Sequence, residues 1–238
     1  MRVSRVRRHG SSIGSSHGVD AHCRERAAQV YSASMDRAEA VPERARPADL
    51  PALVVTCAAA MSDDPMIRWP MPEATPAAQR ELFRAILAPY VDFGVLWKTG
   101  GCDGGAAWLP PRVAERFEEI EQSTRAAINP LTSDGGVRYA AFWDWLGAHL
   151  PAEPCWFLDL VAVAPAAKGR GLGRRLVMHG LELARADGYP AFLETGNPRN
   201  VSYYQSLGFQ IADEQQAPDG GPTIWFMQTA RLPRKVPG

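Results

Sequence analysis

The chain is 238 residues long, 46% hydrophobic and 22% charged, which is enough apolar chain for one core and fits neither wholesale disorder nor a coiled coil. Its 26 basic residues are matched by 26 acidic ones, so no global field draws nucleic acid and any basic function is local. The longest apolar stretch, Leu53 to Met61, is about half of what a bilayer-spanning helix needs, and Cys23, Cys57, Cys102 and Cys155 lack CxxC spacing, which reads as the reduced thiols of a cytoplasmic protein.

Residues 1–37 open with Arg2, Arg5, Arg7 and Arg8 and continue through SSIGSSHG without helical or strand period, so they read as a disordered tail. An Arg- and Ser-rich, acid-poor start is also the composition of an organelle-targeting segment, and Met35 is an alternative start of translation. His17, His22 and Cys23 lie in this tract with no periodicity to hold a metal tetrahedron, so no metal site is assigned. One domain is expected over 38–232, with a short tail at 233–238. EAVPERARP reads as an edge strand, since proline is tolerated there. Asp49 reads as the cap of a helix through ADLPALVVTCAAAM, with Pro51 in its first turn. SDDPMIRWPMPEATP is a proline-broken loop, and a helix follows from Pro76 to Tyr90 with Leu82, Phe83, Ile86 and Leu87 on one face.

Val95 to Lys98 and Ala106 to Leu109 flank TGGCDGG and read as a hairpin. Pro110 and Pro111 end it, RVAERFEEIEQ reads as an amphipathic helix, and Val137 to Leu150 as an aromatic one. Then WFLDLVAV reads as a buried central strand, GLGRRLVMHGLELARADG as a helix closed by Gly188, PAFLET as a strand, PRNVSYYQSLGF as a short helix running into a strand, and TIWFMQTA as the last strand. This order predicts a mixed α/β sheet without internal repeats.

Chemistry concentrates in APAAKGRGLGRRL. Glycines at 169, 171 and 173 let the backbone approach a ligand, and the following helix points its unpaired N–H groups at the same place. With Lys168, Arg170, Arg174 and Arg175 beside it, this turn reads as a phosphate nest. It comes too late in the chain, and in the order GxGxG, for a dinucleotide fingerprint, and it lacks the GK[ST] of a Walker A loop.

The loop resembles motif A of the GNAT superfamily of acetyl-CoA-dependent N-acyltransferases, Q/R-x-x-G-x-G/A, with Lys168 at the first position and Gly171 and Gly173 at the small ones. PRNVSYYQSLGF resembles the later Asn, Tyr, Gly-Phe helix of the same superfamily through Asn200, Tyr204, Gly208 and Phe209. EPCWFLDLVAVAPAAKGRGLG, PAFLET and GPTIWFMQ narrow the resemblance to the puromycin N-acetyltransferase group, while residues 62–150 match it poorly.

The resemblance implies a single GNAT-like α/β (α+β) domain: a mixed, mostly antiparallel sheet splayed at its central strands, with helices on both faces. It also implies acetyl-CoA as acyl donor, a small-molecule primary amine as acceptor, an aminonucleoside antibiotic among the options, neither nucleic acid nor membrane as partner, and a monomer or homodimer. Main-chain groups of Leu160, Val161, Ala162 and Val163 would pair with the pantetheine arm, an N–H near Val161 would face the thioester carbonyl, and the N–H groups of Gly169, Arg170, Gly171, Leu172, Gly173 and Arg174, beside Lys168, would hold the pyrophosphate. Tyr204 would protonate the departing thiolate. Asp159, placed on the face of Val161 by a period of two, and Glu194 at the end of the next strand are the candidate bases. Asn200 would touch the cofactor or cap its helix. Trp69, Trp108, Trp143 and Trp145 are flat walls for an acceptor, Trp69 and Trp108 foremost, with Asp63 or Asp64 to attract its charge. A protein acetyltransferase and a non-catalytic acyl-CoA-binding module are the competing functions.

Overall fold

In the computed structural model, which describes residues 41–111 and 114–230, a two-residue strand β1 (Glu43–Arg44) comes first and pairs with the outer side of the hairpin. The readings made on residues 1–37, on 233–238, and on His17, His22 and Cys23 lie outside the described residues. Helix α1 (Leu50–Ala60) follows a short 3-10 turn. Asp49 stands at its N-cap but does not cap it: the carboxylate instead accepts from the Arg46 N–H at 2.8 Å and pairs with Lys98 at 3.3 Å. The proline-broken loop contains one four-residue helix, α2 (Pro65–Arg68), capped by Asp64 through the Met66 N–H at 2.9 Å. Helix α3 (Pro76–Asp92) is capped by Thr75, and β2 (Leu96–Lys98) and β3 (Gly104–Leu109) form the expected hairpin.

Helix α4 (Ala114–Ile128) runs six residues past the predicted amphipathic stretch, and α5 (Val137–Gly147) carries the aromatic run. The remaining elements fall where the periodicity placed them: β4 (Trp156–Val163), α6 (Leu172–Asp187) with Gly188 as a left-handed cap, β5 (Ala191–Thr195), α7 (Pro198–Gln205), β6 (Phe209–Gln216) and β7 (Thr223–Thr229).

Among the described residues, seven strands lie in the order β1-β2-β3-β4-β5-β7-β6, and only β4 and β5 run parallel. One face is covered by α1 and α3, which bury Leu53, Leu82, Phe83 and Leu87 with Leu160 and Ala162 of β4. The other is covered by α6, whose Leu176 and Val177 pack with Leu158 and with Trp108 of β3. Trp108 is fully buried, and its indole N–H donates to the Leu176 carbonyl at 3.1 Å. The ring lies so close to α6 that a Cβ at Gly180 would stand 1.9 Å from it. Two local departures from regular pairing position the site.

The first is a bulge. Ala107 pairs with Leu160 and Trp108 with Leu158, so Asp159 has no opposite residue. An extra residue reverses the alternation beyond it. Val161 therefore packs toward the α6 face while Asp159 reaches Tyr90 on the α3 face, and the expectation that Asp159 and Val161 share a face is corrected. The second is a splay. β4 and β5 pair only at Trp156 with Ala191 and Phe157 with Phe192. Beyond them β4 pairs with β3 alone and β5 with β7 alone, leaving a notch in the middle of the sheet.

Candidate active site

The notch is the wall of a cleft of about 270 Å³, bounded on one side by Leu158 to Val163 and on the other by Glu194, Thr195, Asn200 and Tyr204, with Lys168 at the glycine turn. A second cavity of about 310 Å³ is lined by Tyr90, Tyr139, Leu150 and Phe157, with Glu121 and Asp144 among its polar groups. Four side chains line both spaces: Ile86, Trp143, Asp159 and Glu194.

The glycine turn is built from backbone requirements. Gly169 and Gly171 have φ of +83° and +77°, the left-handed region that other residues enter at a cost. Gly171 is the N-cap of α6, and the first intrahelical bond after it is from Arg175 to the Gly171 carbonyl at 3.1 Å. The N–H groups of Leu172, Gly173 and Arg174 thus have no intrahelical partner and carry the positive end of the helix dipole. At Gly173 a Cβ would stand 3.4 Å from the Val163 side chain and 3.7 Å from the Tyr203 hydroxyl, so the turn lies in ordinary contact with the end of β4. Lys168, Arg174 and Arg175 are exposed around it, and Arg170 is tied to Asp103 at 2.9 Å. A helix start with free donors, surrounding cations and an adjoining strand edge without a neighbour fits a diphosphate joined to an extended amide arm. Gly171→Ala is expected to weaken coenzyme A binding about tenfold, because the left-handed conformation costs an L-residue roughly 1–2 kcal/mol; titration calorimetry giving the parent affinity would contradict this role for the turn.

The two carboxylates at the junction differ in environment. Asp159 accepts a 2.9 Å hydrogen bond from the Tyr90 hydroxyl. Burial pushes its pKa up to about 6, and the Tyr90 bond opposes the rise. Glu194 is raised well above the usual carboxylate range, first by burial and then by the charge of Asp159, and its Oε2 is buried with no hydrogen-bond partner. Two acids this close resist ionising together. The pair therefore favours a single charge shared between the two carboxyls.

Tyr204 is buried in the wall of the cleft, against the rings of Tyr203 and Phe209. Burial holds its phenol above the ordinary tyrosine range, so it carries its proton at neutral pH. Asn200 lines the cleft and donates to Thr195 Oγ1 at 3.4 Å; the cap of α7 is Asn197, which accepts from the Arg199 N–H, and not Asn200.

The tryptophans are redistributed relative to the sequence expectation. Trp108 is core under α6, and Trp69 packs with Phe142 and Ile224 in a separate cluster under the Arg138 guanidinium; neither lines the cleft or the second cavity. Trp145 sits among Phe142, His149 and Phe226. Trp143 lines both spaces. Asp63 is exposed, and Asp64 lines the cleft while capping α2. Sequence reasoning missed Tyr90 and Tyr139, although a signal exists: Ile86 with Tyr90, and Tyr139 with Trp143, are i, i+4 pairs, so each of α3 and α5 presents one such pair to the same space.

Comparison with known proteins is consistent with this geometry. A model of the acetyltransferase (GNAT) family matches residues 107–209, from β3 to the start of β6. Mycothiol acetyltransferase of Mycobacteroides abscessus is 31% identical over 108 residues, 44% of this chain and 36% of that protein. The mycothiol acetyltransferase of Mycobacterium marinum is 34% identical over 115 residues, 44% of this chain and 34% of that protein. The chain thus spans about a third of the length of these curated relatives. Among solved structures, a histone acetyltransferase HPA2 and related acetyltransferase from Corynebacterium glutamicum superposes with a TM-score of 0.58 at 25% identity, covering 82% of this chain and 98% of that one. No helix among the described residues is long and apolar enough to cross a membrane.

Proposed function

We propose that this chain, which belongs to the GNAT acetyltransferase family, moves an acetyl group from acetyl-CoA directly to the primary amine of a small molecule. The observation that carries the reading is the convergence of two spaces on one carboxylate pair: a cleft that begins at a phosphate-binding turn and runs along an unpaired strand edge, and an aromatic-walled cavity beyond it. Bound in the cleft, the donor supplies an acetyl group activated as a thioester. The main chain of Leu160 to Val163 holds its arm, and the donors of Gly169 to Arg174 hold its diphosphate.

The residues divide the proton work. The acceptor arrives as an ammonium, drawn to the charge on Asp159, and must lose a proton before its nitrogen can attack. Asp159, ionised at neutral pH yet with a raised pKa, takes that proton. A C–N bond forms, the C–S bond breaks, the sulfur accepts a proton from Tyr204, and the second proton shed by the new amide nitrogen returns to the tyrosinate directly or through water. Glu194, buried and coupled to Asp159, resists ionising with it and so keeps the junction from carrying two charges. Tyr90, Tyr139 and Trp143 give the amine a flat, largely apolar bed, so the acceptor class is an amine on an apolar or aromatic body; aminonucleosides fall within it.

Thiol release from acetyl-CoA against a panel of amines tests the function. Tyr204→Phe is expected to lower kcat by about 10²-fold where chemistry limits the rate. Full turnover by that variant would remove Tyr204 as the acid, and cofactor binding without thiol release from any amine would favour a binding module instead.

A further inference from the structure

The acceptor nitrogen and the thioester carbon have to meet where the cleft joins the second cavity. Among the described residues, only Ile86, Trp143, Asp159 and Glu194 line both. Two of the four are the acids that manage protons; the other two are apolar, and nothing in the acid–base scheme uses them. We propose that Ile86 and Trp143 form a neck that limits the transferred acyl group to acetyl. The inference rests on the acyl-transfer reading and adds to it a determinant of donor choice.

The neck is rigid for identifiable reasons. Ile86 lies one helical turn before Tyr90, and the Tyr90 hydroxyl is bonded to Asp159 at 2.9 Å, which fastens this part of α3 to β4. The neighbouring Phe83 and Leu87 are fully buried. Trp143 lies one turn after the buried Tyr139 and against Phe142 with ring centroids 5.4 Å apart. Arg125 joins Glu121 of α4 to Asp144, the residue next to Trp143. Displacement of either side chain would disturb these contacts. A donor with further methylenes must therefore press on Ile86 and Trp143, the more so the longer it is, or enter the space that the amine needs.

The test compares acetyl-CoA with propionyl-CoA and butyryl-CoA by two readouts: binding by calorimetry without acceptor, and kcat/KM with one amine. The parent is expected to favour acetyl-CoA by both. Ile86→Ala removes three carbons and should move the butyryl-to-acetyl ratio about tenfold toward butyryl, in affinity and in kcat/KM alike. Ile86→Val, which any fold retaining α3 tolerates, should move the propionyl-to-acetyl ratio about threefold. Because these are ratios within one protein, a general loss of stability does not shift them. If both ratios stay at parent values in whichever variant folds, or if the parent already takes butyryl-CoA as well as acetyl-CoA, the neck does not set donor length. That result is distinct from failure of the acyl-transfer reading, in which the parent releases no thiol from acetyl-CoA at all.

Discussion

Asp159→Asn is expected to lower kcat for amine acetylation by about 10²–10³-fold, since it removes the group proposed to accept the amine proton while keeping its shape. In the parent, kcat should rise as pH passes upward through about 6, where Asp159 loses its proton. That acid limb reports the Asp159 and Glu194 pair as a unit. Tyr90→Phe should move the limb to higher pH, because the hydroxyl favours the carboxylate form by donating to it. The same group makes a stability prediction whose sign is fixed. Its pKa in the folded state lies above its unfolded value of about 4, so its contribution is complete below that value and is lost as pH rises through about 6. Urea unfolding should show the parent losing about 2 kcal/mol between pH 4 and pH 7.5 relative to Asp159→Asn. A parent and variant with parallel pH profiles, or with equal turnover, would mean that Asp159 is neither strained nor the base.

Gly180→Ala is expected to destabilise the protein by about 3 kcal/mol and lower its Tm by about 10 °C. The added Cβ would stand 1.9 Å from the Trp108 ring, far inside contact distance, and Trp108 is fixed by its bond to the Leu176 carbonyl. In a Trp108→Phe background the same alanine should cost less, since part of the obstructing ring is gone. Thermal unfolding of the four proteins in a double-mutant cycle gives the coupling; purely additive effects would show that α6 moves aside freely.

These two cases mark how far a single sequence reaches. The strands and helices from β4 to β7 were legible because each is a continuous apolar run or a clean 3.6-residue pattern bounded by Gly or Pro. The glycine turn was legible because its side-chain economy is visible in the letters themselves. The bulge at Asp159 was not: it arises from pairing with β3, a strand about 50 residues earlier, and no local pattern announces it. The face of Asp159 was consequently misjudged. Trp108 looked like a possible acceptor wall because aromaticity says nothing of depth; only the packing of α6 across β3 shows it to be core. Trp143 and Tyr90 enter the site through the tertiary placement of α3 and α5, in the region where the family resemblance was weakest.

The splay between β4 and β5 carries one last consequence. With just two residue pairs stitching them together, the strands leave facing main-chain edges open beyond Trp156 and Phe157. An extended guest laid in that gap would take up the free N–H and C=O groups, so that occupancy and protection of the backbone become one quantity. Amide hydrogen exchange along residues 158–163, slow when the gap is filled and faster when it is vacant, would then serve as a gauge of loading that needs no turnover at all.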